Sequence, residues 1–223
     1  MPFKLDHVFI CCDEGGPEAQ ALLDAGLTEG SRNTHTGQGT ANRRFFFADG
    51  YIELIWIFDA PQATSALTAP TRLWERWSAR HAGACPFGLA YRLDGDDDAV
   101  PPFQTWPYRP QYLSGERRIL FARDTPLDEP ELFCLAWHNP AADMPAQPRA
   151  HALPLREMRS VSVGLPQRGG LSPNASAAKT AALVSFHQSA AYELVIRFGA
   201  HADLHCDLRP ALPLILRGES EAA

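Results

Sequence analysis

The chain has 223 residues, 45% hydrophobic and 21% charged, with a formal net charge of −6. That length can bury a substantial core as one large domain or two small modules, in an ordinary globular composition. The acidic balance offers no basic face for nucleic-acid phosphates, and no apolar stretch approaches the roughly 20 residues of a membrane span.

The N-terminal "MPFKLDHVFICCDEGG" lacks the cleavage site of a signal peptide. Cys11, Cys12, Cys85, Cys134 and Cys206 are irregularly spaced with no C-x-x-C pair. They suit buried thiols in a reducing compartment, so a cytoplasmic location is expected.

"LDHVFICC" (5–12) predicts a first strand, with Leu5, His7 and Phe9 on one face and Asp6, Val8 and Ile10 on the other. Pro17 to Ala25 reads as a short helix stopped by Gly26. After the polar loop "NTHTGQGTANRR", the run "RRFFFADGYIELIWIF" predicts two strands joined at Asp49-Gly50, with room for a further short strand around residues 27–36. Helical spacing returns in "PTRLWERWSARHAG", whose apolar stripe is Leu73, Trp74 and Trp77.

The middle predicts three strands, within 85–95, 116–124 and 131–140, with the proline-rich "AVPPFQTWPYRPQYL" between the first two. A linker rich in Ala and Pro leads to strand "EMRSVSVGLP", a weak helix "SAAKTAALVSF", and strands "YELVIRFG" and "PLILRG". Hairpins mixed with strand-helix alternation predict an α+β protein with a curved mixed sheet. The first and last parts also echo each other, which sets Ser160 against His7 and Glu193 against Glu53.

One residue poses the functional question. Glu53 interrupts the apolar strand "YIELIWIF". A buried carboxylate costs several kcal/mol without a partner, so a cation, a metal or hydrogen-bond donors should meet it. Arg43 or Arg44, on the adjoining strand, could be that cation. His7, on an apolar strand face, reads equally as a satisfied core residue or as a partner of Glu53.

The set "LDHVFI", a helix ending "LLDAGL", "GQGTANRRFFF" and "DGYIELIWI" resembles the glyoxalase-like branch of the vicinal oxygen chelate superfamily. The resemblance implies paired βαβββ-type modules whose curved mixed sheets enclose a cleft. Residues 1–82 would form the first module and 83–140 a helix-poor second one, with 141–223 a C-terminal βαββ extension completing the sheet. It further implies metal ligands on the first and last strand of each module. His7 and Glu53 match in module one, whereas Gly88 and Cys134 stand at the second-module positions, leaving His138 or Glu193 as further donors.

An imidazole and a carboxylate suit a divalent Zn, Fe, Ni, Co or Mn ion, on which a ligand with two neighbouring oxygens could chelate. His7 and Glu53 are the candidate catalytic pair, for a metal-assisted lyase, isomerase or dioxygenase acting on a small oxygen-rich or apolar metabolite. A metal-free small-molecule binder of the resistance type, and a protein-interaction module contacting through residues 102–112, remain open alternatives. A homodimer paired through sheet edges is also expected.

"GQGTAN" (37–42) reads as a hairpin loop or a ligand-contacting loop, with Thr40 and Asn42 offering hydrogen bonds. The five tryptophans read first as core or interface residues. Trp56, Trp137 and Arg44 are nevertheless candidates to line the cleft. "HADLHCD" and "DGDDDA" read as solvated turns rather than metal sites.

Overall fold

A computed structural model describes residues 3–93, 100–137, 146–166, 169–181 and 183–220. The first part runs β1 (Phe3–Cys11), α1 (Ala19–Asp24), β2 (Asn33–His35), β3 (Thr40–Phe46) and β4 (Tyr51–Ile57). Two short helices follow, α2 (Ala60–Ala63) and α3 (Leu73–Ser78). The second part has the strands β5 (Phe87–Leu93), β6 (Thr105–Tyr108), β7 (Ile119–Ala122) and β8 (Glu131–Leu135). The third is β9 (Leu155–Leu165), α4 (Pro173–Thr180), β10 (Ser185–Gln188), β11 (Glu193–Ala200), β12 (Leu204–Asp207) and β13 (Leu214–Ser220).

The first two parts share one curved, mixed eight-stranded sheet in the order β2-β3-β4-β1-β5-β8-β7-β6. β1 and β5 run antiparallel along its centre, while β1 is parallel to β4 and β5 to β8. Each half therefore pairs its own first and last strands, as the βαβββ pattern requires, with no helix among the described residues between the strands of the second half. Arg76 of α3, fully buried, donates to the carbonyls of Cys85 and Glu129 at 2.7 Å each and pairs with Glu131 at 3.2 Å. That fastens α3 against the second half.

The C-terminal strands do not complete this sheet. They form a second, five-stranded one in the order β10-β9-β11-β13-β12. It repeats the first sheet in miniature: β9 and β11 are antiparallel at the centre, β9 is parallel to β10, and β11 is parallel to β13. The strand that plays the part of β4 is thus β10, and Glu193, at the start of β11, falls in the next half. This corrects the equivalence of Glu193 with Glu53.

Strand alternation divides the first sheet cleanly. Val8, Ile10, Ile52, Leu54 and Leu89 face the second sheet and pack with Val161, Val163, Leu194, Ile196 and Leu216 in one core. Phe47 meets Phe198 across this layer at 4.5 Å. The opposite face gathers Phe9, Ile55, Phe121, Phe133 and Leu135 in a separate apolar cluster. That face carries the cavity.

Some elements departed from expectation for local reasons. β6 forms inside the proline-rich segment because it is an edge strand, where Pro107 can go without a ladder bond. "SAAKTAALVSF" splits into the end of α4 and the start of β10, and "HADLHCD" contains β12.

Candidate functional site

A cavity of about 850 Å³ opens on the concave face of the eight-stranded sheet. His7 and Glu53 both line it. β1 and β4 are parallel with Phe9 opposite Glu53 and His7 opposite Tyr51, so both chemical groups point to the same side, one residue pair apart. His7 Nε2 lies 3.4 Å from Glu53 Oε2.

Each member of the pair is held from behind. Asp6 Oδ1 accepts from His7 Nδ1 at 2.7 Å, which leaves Nε2 as the nitrogen facing Glu53. The His7 ring also stacks on Tyr51 at 4.3 Å. Asn42 donates through Nδ2 to Glu53 Oε1 at 2.5 Å, while its own Oδ1 accepts from the Asn33 backbone N–H at 2.8 Å. That second bond fixes which end of the amide meets the carboxylate.

Neither arginine is the partner of Glu53. Arg43 pairs with Glu29 and Arg44 with Ser31. Arg44 lines the cavity, over the rings of Phe46 and Tyr51.

Asp6 reaches His7 because β1 is irregular. The register against β5 shifts between Leu5 and His7, so the strict alternation expected from "LDHVFI" breaks there. A bulge of this kind re-aims a side chain, here bringing the Asp6 carboxylate to the cavity edge. Arg92 then donates to Asp6 Oδ2 at 3.2 Å and to the Asp49 carbonyl at 2.7 Å.

His35 joins the site from β2, unanticipated by periodicity because it lies in a polar loop sequence. The signal was the hairpin: Gly37 and Gly39 take positive φ values of 85° and 77°, closing a tight turn that pairs His35 with Thr40. Gly39 has no room for a Cβ beside the Asp59 carbonyl. His35 lines the cavity, stacks on Tyr112 at 4.6 Å, and makes a 2.8 Å bond through Nδ1 to Thr40 Oγ1. Thr40 itself is buried behind His35 and contacts it and Gln38 rather than forming the wall.

Part of the lining beside His7 and Glu53 is apolar. Phe9, Phe121 and Phe133 stack in series, with centroids 6.1 and 5.2 Å apart, and Trp137 closes beside them. Trp56, by contrast, points to the other face, where it joins the main core beside Gly16. Its place among cleft residues is corrected by strand parity, since it alternates with Ile55 and Ile57.

The donors for a metal fall short. On the second half, Gly88 lies under the Phe9 ring with no room for a side chain. Cys134 faces the core, and Phe133 is the β8 residue that turns to the cavity, its ring 5.6 Å from that of His7. Glu193 sits in the second sheet, paired with His187 at 2.8 Å and Arg209 at 2.6 Å. His138 lies outside the described residues. Among the described residues no group of three His, Cys, Asp or Glu side chains is arranged to hold an ion. His7 and Glu53 alone do not make the three- or four-ligand set that Zn or its neighbours take.

The cysteines behave as core residues; burial pushes the Cys11 and Cys134 thiols up to about 12. No described helix is long and apolar enough to cross a membrane.

A family model described as a glyoxalase-like domain matches residues 5–174. A search of curated proteins finds no match. Among solved structures, a hypothetical protein from Staphylococcus aureus aligns over 98% of this chain and 100% of its own at 11% identity, with a TM-score of 0.53. That likeness bears on the fold alone. A xylose isomerase-like TIM barrel/4-hydroxyphenylpyruvate dioxygenase fusion protein aligns over 99% of this chain and 32% of its own, at 14% identity and a TM-score of 0.46. The latter is too slight to carry an argument.

Proposed function

This chain belongs to the glyoxalase-like domain family of the vicinal oxygen chelate superfamily, and from that premise we propose that its cavity binds a small carbonyl compound with an adjacent oxygen and an apolar tail. The His7–Glu53 pair then exchanges a proton with the bound molecule. The observation that carries this reading is the 3.4 Å approach of His7 Nε2 to the Glu53 carboxylate in a cavity that is also lined by stacked phenylalanines. A carbonyl and its neighbour would meet the polar wall. The tail would lie against Phe9, Phe121 and Phe133.

Of the reaction classes the resemblance implies, an isomerase-type proton transfer is the one these side chains can run by themselves. Glu53 takes the proton from the carbon beside the carbonyl, the C–H electron pair becomes the new C=C bond, and the carbonyl oxygen gains the negative charge. Return of the proton to the same carbon completes the exchange; delivery to the neighbouring carbon gives the isomer when the adjacent hydroxyl passes its own proton to the former carbonyl oxygen. Asp6 holds the His7 ring through Nδ1, so Nε2 remains directed at the carboxylate and the ligand. Asn42 keeps Glu53 from rotating out of line.

The test uses 2-hydroxyacetophenone, which carries a ring, a carbonyl and an adjacent hydroxyl. Chelator-treated protein in deuterated water should wash its CH₂ protons out faster than buffer does, and Glu53→Gln should abolish the excess. Saturable binding without exchange would instead establish the resistance-type binder, which the two-donor site and aromatic wall also support. No binding and no exchange would overturn the proposal.

A further inference from the structure

We infer that His35 is a second catalytic residue of this cavity: a neutral imidazole that presents its Nε2–H to the ligand oxygen on which negative charge develops. The inference rests on the proton-transfer reading above and supplies what that reading lacks. Removing a proton beside a carbonyl leaves an oxyanion, which needs an electrophile to stabilise it, and no group of three metal-binding side chains is found among the described residues.

The tautomer follows from counting donors. Thr40 Oγ1 has one hydrogen. Gln38 Nε2 donates to that oxygen at 2.8 Å, and Gln38 Oε1 faces the Tyr112 hydroxyl at 3.4 Å. The Thr40 hydrogen therefore needs an acceptor, and among the described residues the one within reach is His35 Nδ1, at 2.8 Å. With Nδ1 accepting, the ring proton of a neutral His35 sits on Nε2.

That Nε2 has no protein partner among the described residues, although the ring lines the cavity and is only 9% exposed. The charged and titratable groups around it are Arg44 on the adjoining β3, Glu53 on β4 and His7 on β1 further along the sheet, and Tyr112 stacked on its face. Burial is the largest influence on the ring and disfavours its cation. A neutral N–H donor can polarise a carbonyl without surrendering its proton to the product enolate. Glu53 can then act as base while His35 holds the oxygen, a division of labour between two groups of opposite character.

Two readouts on the whole protein test this. Long-range ¹H–¹⁵N spectra of histidine-labelled protein at pH 7 report the tautomer of His35 with no ligand present. Benzohydroxamate, an aryl mimic of the enediol, then probes the oxyanion contact in chelator-treated protein. The expected results are an Nε2–H tautomer, a shift of that N–H signal on saturation, and binding weakened about tenfold or more by His35→Phe but partly restored by His35→Gln. An Nδ1–H tautomer overturns the inference, even if His35→Phe cannot be folded. So does an unmoved His35 signal with benzohydroxamate bound. If benzohydroxamate does not bind the wild-type protein at all, it is the cavity reading that fails, and the oxyanion role falls with it.

Discussion

Arg44 stands directly opposite Glu53 in the β3–β4 register, yet its guanidinium turns to Ser31, with bonds of 2.9 Å to the carbonyl and 2.7 Å to Oγ. The buried carboxylate is left to the donating amide of Asn42, with the His7 ring beside it. Asn42→Leu removes the 2.5 Å donor and should cost about 1–3 kcal/mol in denaturant unfolding at pH 7. A loss no greater than that of a surface substitution would show that Asn42 does not support Glu53.

Strand parity separates the two tryptophans once grouped as cleft candidates. Trp137→Ala should weaken benzohydroxamate binding, read by isothermal titration. Trp56→Phe should leave affinity unchanged within about twofold while lowering the melting temperature, because Trp56 packs in the main core on the other face of the sheet. The reverse pattern would mean that the ligand lies elsewhere.

Phe133 occupies the β8 position that faces the cavity, beside His7. Phe133→Glu should supply a third donor and raise Zn²⁺ affinity by about tenfold or more over wild type. Equal, tight Zn²⁺ binding by the wild-type chain, lost in both His7→Ala and Glu53→Ala, would contradict the two-donor account.

Burial lowers the proton affinity of His35, and of His151, whose Nε2–H donates to the Phe46 carbonyl while Nδ1 accepts from the Thr28 N–H. Below the unfolded-state value of about 6.5 the unfolded chain binds protons that the native state refuses. Their stabilising contribution is therefore complete above that pH and is lost as pH falls below it. Unfolding free energies measured from pH 7.5 to 5.5 should decline, and His35→Gln with His151→Gln should flatten that decline. An unaltered slope in the double variant would contradict the assignment.

Much of the first half was legible because its chemistry sits on regular strands. "YIELIWIF" declared both its burial and its one misplaced charge, and period-two alternation put His7 with Phe9 and Glu53 with Tyr51 on the correct shared face. What alternation could not show was the bulge that turns Asp6 toward His7, since a bulge is invisible in the spacing. His35 was hidden for a different reason: a three-residue strand carries too little periodicity, and only the two glycines closing its turn betray it. On β8, register decided the outcome, because a one-residue slip exchanges Cys134 for Phe133. The echo between the two ends of the chain was real at the level of strand pairing but misnumbered by one strand, because the four-residue β10 was absorbed into a helix-like run.

His7 and Glu53 should grip the same guest. Protein carrying ¹³C-labelled histidine and glutamate, titrated with benzohydroxamate, would show it directly. The His7 ring signal and the Glu53 carboxyl signal should move along one saturation curve, with the same midpoint as Trp137 fluorescence. Two different curves, or either signal unmoved once the fluorescence has saturated, would contradict it.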